Sequence, residues 1–183
     1  MMNSTMKIEL ESMAIEMPSV AGHPNREPFR GVLTWVDLVS DRPPAGARGH
    51  RVMLTRKAAE QALPSLLGMG LGYAPSLDRH DTRRKAGVIT RAEIVGKRLE
   101  LAGYLFAKDF PEIVREIAKS RGGLQAASSS RKSAALGMSY EIADARVADV
   151  RSQIWVLTHV TFTGAAILRR DKAAYGETWI ELG

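Results

Sequence analysis

The chain contains no cysteine. That excludes a disulfide framework, a thiolate metal site and a cysteine nucleophile. No apolar run approaches the roughly 20 residues needed to span a bilayer as a helix, and no membrane partner is expected. Met1 to Glu16 alternates polar and apolar residues and carries acids, which is not the pattern of a signal peptide. Histidines number only four, with no HExxH and no other ligand spacing, so neither a metal nor another cofactor is expected. Aromatics are sparse at 6%, and they do not interleave with the basic residues as they do in single-strand nucleic-acid binders.

What is present is an ordinary apolar content over 183 residues, enough for one domain with a proper core. The formal net charge of +6 comes from 26 Lys and Arg against 20 Asp and Glu. The bases fall in short groups, including Arg83-Arg84-Lys85, Lys97-Arg98, Arg131-Lys132 and Arg169-Arg170, mostly where turns are expected. A solvated surface is the simpler reading, and nucleic acid is not an expected partner.

Residues 1–22 read as an N-terminal arm or first strand that is a candidate for removal, and 23–183 as a single domain. Strand patterns run over Met6 to Met17, Gly31 to Leu38, His50 to Leu54, Leu136 to Ile142, Gln153 to Leu168 and Glu177 to Leu182. Gly87 to Ile94 and Leu99 to Phe106 read as a hairpin turning at Gly96-Lys97. Thr55 is placed to cap a helix whose Ala59, Ala62, Leu63 and Leu66 share a face, with Pro64 kinking it and Gly68 to Gly72 ending it. Asp109 and Glu112 predict a capping box for a second helix with Phe110, Ile113, Val114 and Ile117 buried, stopped by Gly122-Gly123. Gln125 to Ser133 is small, polar and basic. Short strands around two helices suggest an α+β fold, a closed or nearly closed β-barrel surrounded by helices.

Three residues carry the chemistry. His80 lies in the loop-like run Leu77-Asp78-Arg79-His80-Asp81, Ser139 in Leu136-Gly137-Met138-Ser139-Tyr140-Glu141-Ile142, and His159 in the following apolar strand. A serine hydroxyl attacks only with a base in hydrogen-bond reach, and a third group must orient that base. His80 is the candidate base, since an imidazole titrates near neutral pH. Ser139 is the candidate nucleophile, and Gly137 permits close backbone approach beside it. His159 shares a predicted face with Trp155 and Leu157, where it should be shielded from water. Taken singly, each has a plainer explanation: a hydrogen-bonded strand serine, a solvated loop histidine, a core histidine. Ser128, Ser129, Ser130 and Ser133 are rival serines in a stretch too loose to hold an attack geometry.

From about Gly31 to Glu181, and most strongly in Leu77 to Asp81, Asp109 to Ile117, Leu136 to Ile142 and Trp155 to Leu168, the chain resembles the capsid-maturation (prohead) serine proteases of tailed bacteriophages. These share a fold with the herpesvirus assemblin proteases. The resemblance implies a serine endopeptidase with a herpesvirus-protease-like fold, Ser139 as nucleophile, His80 as base and His159 as third member. It places Arg169 and Arg170 near the position of oxyanion-stabilising arginines. The acid that many phage members carry early in the last strand is missing here, so Asp78, Asp81 or Glu141 is an alternative third member, and a dyad is another. The substrates it implies are the major capsid protein, its scaffold and the protease itself, in the host cytoplasm inside the assembling procapsid. Further copies of the same chain are a candidate partner. The alternatives are a catalytically inactive capsid-assembly, scaffold-like protein of the same fold and a basic nucleic-acid-binding barrel.

Overall fold

A computed structural model describes residues 12–121 and 135–183. Among them are nine strands: β1 (Ser12–Ala14), β2 (Glu27–Trp35), β3 (Arg51–Leu54), β4 (Gly70–Tyr73), β5 (Lys85–Val95), β6 (Arg98–Leu105), β7 (Leu136–Val147), β8 (Ile154–Arg169) and β9 (Trp179–Leu182). Two α-helices, α1 (Arg56–Ala62) and α2 (Pro111–Arg121), complete an α+β fold. The strands form one sheet in the order β3-β8-β4-β5-β6-β2-β9, with β1 added to β5 and β7 to β8. β8 pairs with β3 and β4 in parallel; its long partner β7 is antiparallel.

The sheet curls until β7 meets β9. The seam is closed by side chains and one backbone donor: the Met138 N–H donates to the buried Thr178 hydroxyl at 3.2 Å, and that hydroxyl donates to the Tyr175 carbonyl at 3.0 Å. Gly137 permits this approach, because a Cβ there would stand 2.5 Å from the Thr178 hydroxyl. The near-barrel is filled by Phe29, Leu33, Leu54, Ile89, Leu99, Leu105 and Phe162, with Leu63, Leu66, Ile113 and Ile117 supplied by the helical segments.

Local signals account for much of this. The Thr55 hydroxyl accepts from the Ala58 N–H at 3.2 Å and starts α1. Pro64 turns the chain into a short 3-10 segment, Leu63–Leu66. Gly96, with φ of +60°, makes the β5–β6 turn. Other expectations are corrected. β4 forms where the glycines Gly70 and Gly72 read as a helix stop, and β2 begins four residues early, at Glu27. The capping box of α2 is absent, because its two carboxylates have tertiary partners. Asp109 accepts from the Asn25 amide at 2.8 Å, and Glu112 accepts from the Tyr73 hydroxyl and from Arg84. Gly122-Gly123, the run Gln125 to Ser133 with its four serines, and the first part of the Met6 to Met17 strand lie outside the described residues.

β7 shows the alternation that matters for function. Leu136, Met138 and Tyr140 join the core, so Gly137, Ser139 and Glu141 face outward. Tyr140 meets Phe162 edge-on, with ring centroids 5.9 Å apart. Its hydroxyl is buried without a hydrogen bond, and burial pushes its pKa up. Tyr140→Phe removes that unsatisfied group and keeps the ring contact. Thermal melting of the variant is therefore expected to match or exceed that of the natural chain, by up to about 1 kcal/mol. A clear loss of stability would show that the hydroxyl has a partner after all.

Candidate active site

The chain from Ala74 to Arg84 leaves β4, meets the end of β8 at Arg169 and touches β7 at Glu141. It is tied down at several points. Leu77 adopts a left-handed turn (φ of 53°), and its carbonyl accepts from the Arg169 N–H at 2.7 Å. Asp81 caps the Arg83 N–H through its carboxylate at 3.1 Å. The Arg84 guanidinium stacks 5.0 Å over the Tyr73 ring and pairs with Glu112 at 3.2 Å. The Tyr73 hydroxyl and this guanidinium hold the Glu112 carboxyl below the usual carboxylate range. An exposed loop is thus fixed between β4, β8 and α2.

The result of that fixing is a contact between His80 and Glu141. His80 Nδ1 stands 3.5 Å from Glu141 Oε1, and Lys85 Nζ donates to Glu141 Oε2 at 2.7 Å. The Glu141 side chain is only 9% exposed, against 27% for His80, so the carboxylate is sheltered while the imidazole keeps an open edge. Burial pushes the Glu141 carboxyl up, but its contacts with His80 and Lys85 outweigh this and hold it below the ordinary glutamate value. At 3.5 Å the imidazole is within ion-pair distance but is not aligned as a hydrogen bond, so Oε1 remains a buried acceptor with capacity to spare. Catalytic hydrogen bonds commonly tighten only when substrate is bound.

Ser139 lies two residues before Glu141 on the same outward face, opposite Ala166 of β8. Same-face neighbours on a strand are about 6.5–7 Å apart. Ser139 and the carboxylate that meets His80 are therefore nearest same-side neighbours on β7. That hydroxyl makes no hydrogen bond among the described residues, and the side chain is half-buried.

The structure separates the other candidates. Asp78 takes the Ser76 hydroxyl, and Asp81 is used on its own loop. Of the three acids open as third members, Glu141 is the one brought to His80. His159, the third member that the resemblance implies, is not brought to this contact. It faces Arg146, seven residues along β8 from the partner of Ser139, a distance on the order of 20 Å at about 3.3 Å per residue. Nor is it shielded: an irregularity near Thr158 shifts the register, and His159 is half-exposed. Arg169 faces Leu136, about 10 Å along the strand from Ser139, and its guanidinium is held by Asp171 at 2.7 and 3.0 Å. Arg170 keeps a buried Nε without a partner and lines a cavity of about 430 Å³ with Arg42, Ala135 and Gly176. Sequence reasoning missed Lys85, since a lysine opening a strand carries no signal of what lies across the sheet.

The carboxylate has a pH signature. A group whose pKa is lowered on folding contributes stability above its ordinary value, here 4.5, and loses it as pH falls through the lowered value. Glu141→Gln lacks this contribution and leaves Lys85 unpaired. The melting-temperature gap between wild type and variant is expected to be largest above about pH 5 and to shrink as pH falls below the ordinary glutamate value of 4.5. A gap independent of pH would show that the carboxylate charge is not responsible.

No protein-family model matches the chain. No curated protein matches it either. Among solved structures, the chain is similar to the protease of Kaposi's sarcoma herpesvirus in complex with an allosteric inhibitor. That match has 15% identity and a TM-score of 0.45, over 86% of this chain and 75% of that one. It is also similar to the same virus's protease bound to a hexapeptide phosphonate inhibitor, with 11% identity and a TM-score of 0.44, over 78% of this chain. The chain spans 59% of the length of that second structure.

Proposed function

We propose that this chain is a serine endopeptidase in which Ser139 is the nucleophile, His80 the general base and Glu141 the group that orients His80. One observation carries the reading: a tied-down loop delivers an imidazole to a sheltered carboxylate two residues beyond an outward-facing serine with an unengaged hydroxyl. In this mechanism Nε2 of His80 takes the Ser139 proton as the oxygen attacks the scissile carbonyl. Glu141, acting at Nδ1, selects the tautomer that leaves Nε2 free and stabilises the imidazolium that forms. His80 then protonates the leaving amine, and water hydrolyses the acyl-enzyme by the reverse sequence. Backbone N–H groups beside the serine stabilise the oxyanion, each such donor being worth about 3 kcal/mol in comparable enzymes.

The sequence resemblance to phage prohead proteases in Leu77 to Asp81 and Leu136 to Ile142 supports capsid and scaffold precursors as substrates, cleaved inside the assembling particle. The test is to incubate the purified chain with its cognate capsid precursor and, in parallel, with a fluorophosphonate probe followed by peptide mapping. The wild type is expected to cleave the precursor and to carry the label on Ser139. Cleavage that persists in Ser139→Ala, or a label mapped to another serine, overturns the assignment.

A further inference from the structure

Lys85 reaches Glu141 by a route that apolar packing does not explain. It opens β5, and in sheet order β4 and β8 lie between β5 and β7. Its side chain crosses β4 and ends over β8, where it meets the Glu141 carboxylate. The stem lies over β4 at Gly70, where a Cβ would stand 2.7 Å from Lys85 Cδ and 2.8 Å from Cγ. The ammonium lies over β8 at Gly164, where a Cβ would stand 3.1 Å from Nζ and 2.7 Å from Glu141 Oε2. Two strands thus each present a glycine beneath one side chain, and a methyl group at either place would force the stem or the carboxylate to move. The trough ends on one oxygen of the acid that, among the described residues, touches His80.

We propose that Lys85 is a positioning residue for this site: by occupying Oε2 it fixes the Glu141 carboxylate with Oε1 turned toward His80. This rests on the serine endopeptidase reading above. Several neighbouring charges are committed elsewhere. Asp78 is on Ser76, Asp81 on the Arg83 N–H, Arg84 on Glu112, and Arg169 on Asp171. An ammonium held at Oε2 leaves the carboxylate one rotamer, so the imidazole is oriented before substrate arrives.

The test uses the absence of cysteine in the natural chain. Lys85→Cys carries a single thiol, whose thiolate displaces bromide from 2-bromoethylamine to give a side chain of lysine's length and charge. Fluorophosphonate labelling of Ser139 is expected to slow by about tenfold or more in Lys85→Met and in Lys85→Cys. Aminoethylation should restore the rate, and capping with neutral iodoacetamide should not. In a Glu141→Gln background, Lys85→Met should cause no further loss, because Lys85 acts through that carboxylate. Melting temperatures are measured alongside, and Lys85→Gln serves if the methionine variant fails to fold. Wild-type labelling with an unchanged rate in the Lys85 variants overturns the proposal. So does equal rescue by both reagents, or additivity with Glu141→Gln. A wild type that takes no label on Ser139 overturns this proposal together with the reading beneath it.

Discussion

Ser139→Ala and His80→Ala are each expected to lower kcat for cleavage of a precursor-derived peptide by at least about 10⁴-fold, and the double variant is expected to be no worse than either single one. The magnitude follows from what each group does. Without the base the hydroxyl is a poor nucleophile, and without the hydroxyl the imidazole has nothing to activate, so the two losses describe one event and do not add. The residual rate would come from binding and oxyanion stabilisation alone. KM should move little, since neither group holds the substrate by itself. Stability should also change little. The Ser139 hydroxyl has no partner among the described residues to lose, and Glu141 keeps its 2.7 Å bond to Lys85 when His80 is truncated. For a half-buried serine at a strand surface the expected change is within about 0.5 kcal/mol. Steady-state kinetics with a matched thermal melt checks both statements. A Ser139→Ala chain that folds normally and cuts at the wild-type rate would remove the nucleophile and the mechanism with it.

The site was only partly legible in the sequence, and the division has a physical basis. Residue type and local pattern mark Ser139 and His80 as candidates only: a serine in a Gly-x-Ser strand, and an imidazole in a polar loop. They do not mark the partner of His80. Asp78, Asp81 and Glu141 were equivalent on paper, and the choice depends on how the 74–84 segment meets β7. That path is set by long-range contacts such as Arg169 N–H to the Leu77 carbonyl and Arg84 over Tyr73. His159 lies away from Ser139 for a related reason. Strict period-2 alternation placed it beside Leu157, but the irregularity near Thr158 breaks the alternation, and the strand's length carries the residue far from Ser139. The fold was read better than the site. Strand periodicity, the Thr55 cap and the Gly96 turn are local signals, and they recovered most elements. β4 was lost because its glycines look like punctuation. Their use is spatial: Gly70 makes room for the Lys85 side chain and Gly72 for the Arg84 carbonyl.

Phe162→Ala is expected to produce the largest loss of stability among these variants, and with it a loss of activity that does not come from chemistry. The ring is 1% exposed, pairs through its backbone with Ile142 of β7, and packs edge-on against Tyr140. Removing it costs the transfer free energy of the ring and leaves a cavity in the core beneath β7 and β8, for a total of about 3–5 kcal/mol. For a domain of this size that lowers the melting temperature by roughly 6–20 °C. Tyr140 sits between Ser139 and Glu141 in the chain, so its ring is the inward anchor of the segment whose outward side chains form the site. With the anchor loosened, the nucleophile and the orienting carboxylate lose their fixed spacing before the domain unfolds. Labelling of Ser139 should therefore fall with rising temperature well below the melting point of Phe162→Ala, whereas wild-type labelling should rise with temperature over the same range. Phe162→Leu, which refills most of the volume, should recover most of both properties. If labelling of the alanine variant instead tracks the wild type up to its own melting transition, β7 holds its geometry without the ring, and the rigidity of the site must be assigned to the loop contacts and the Lys85–Glu141 pair alone.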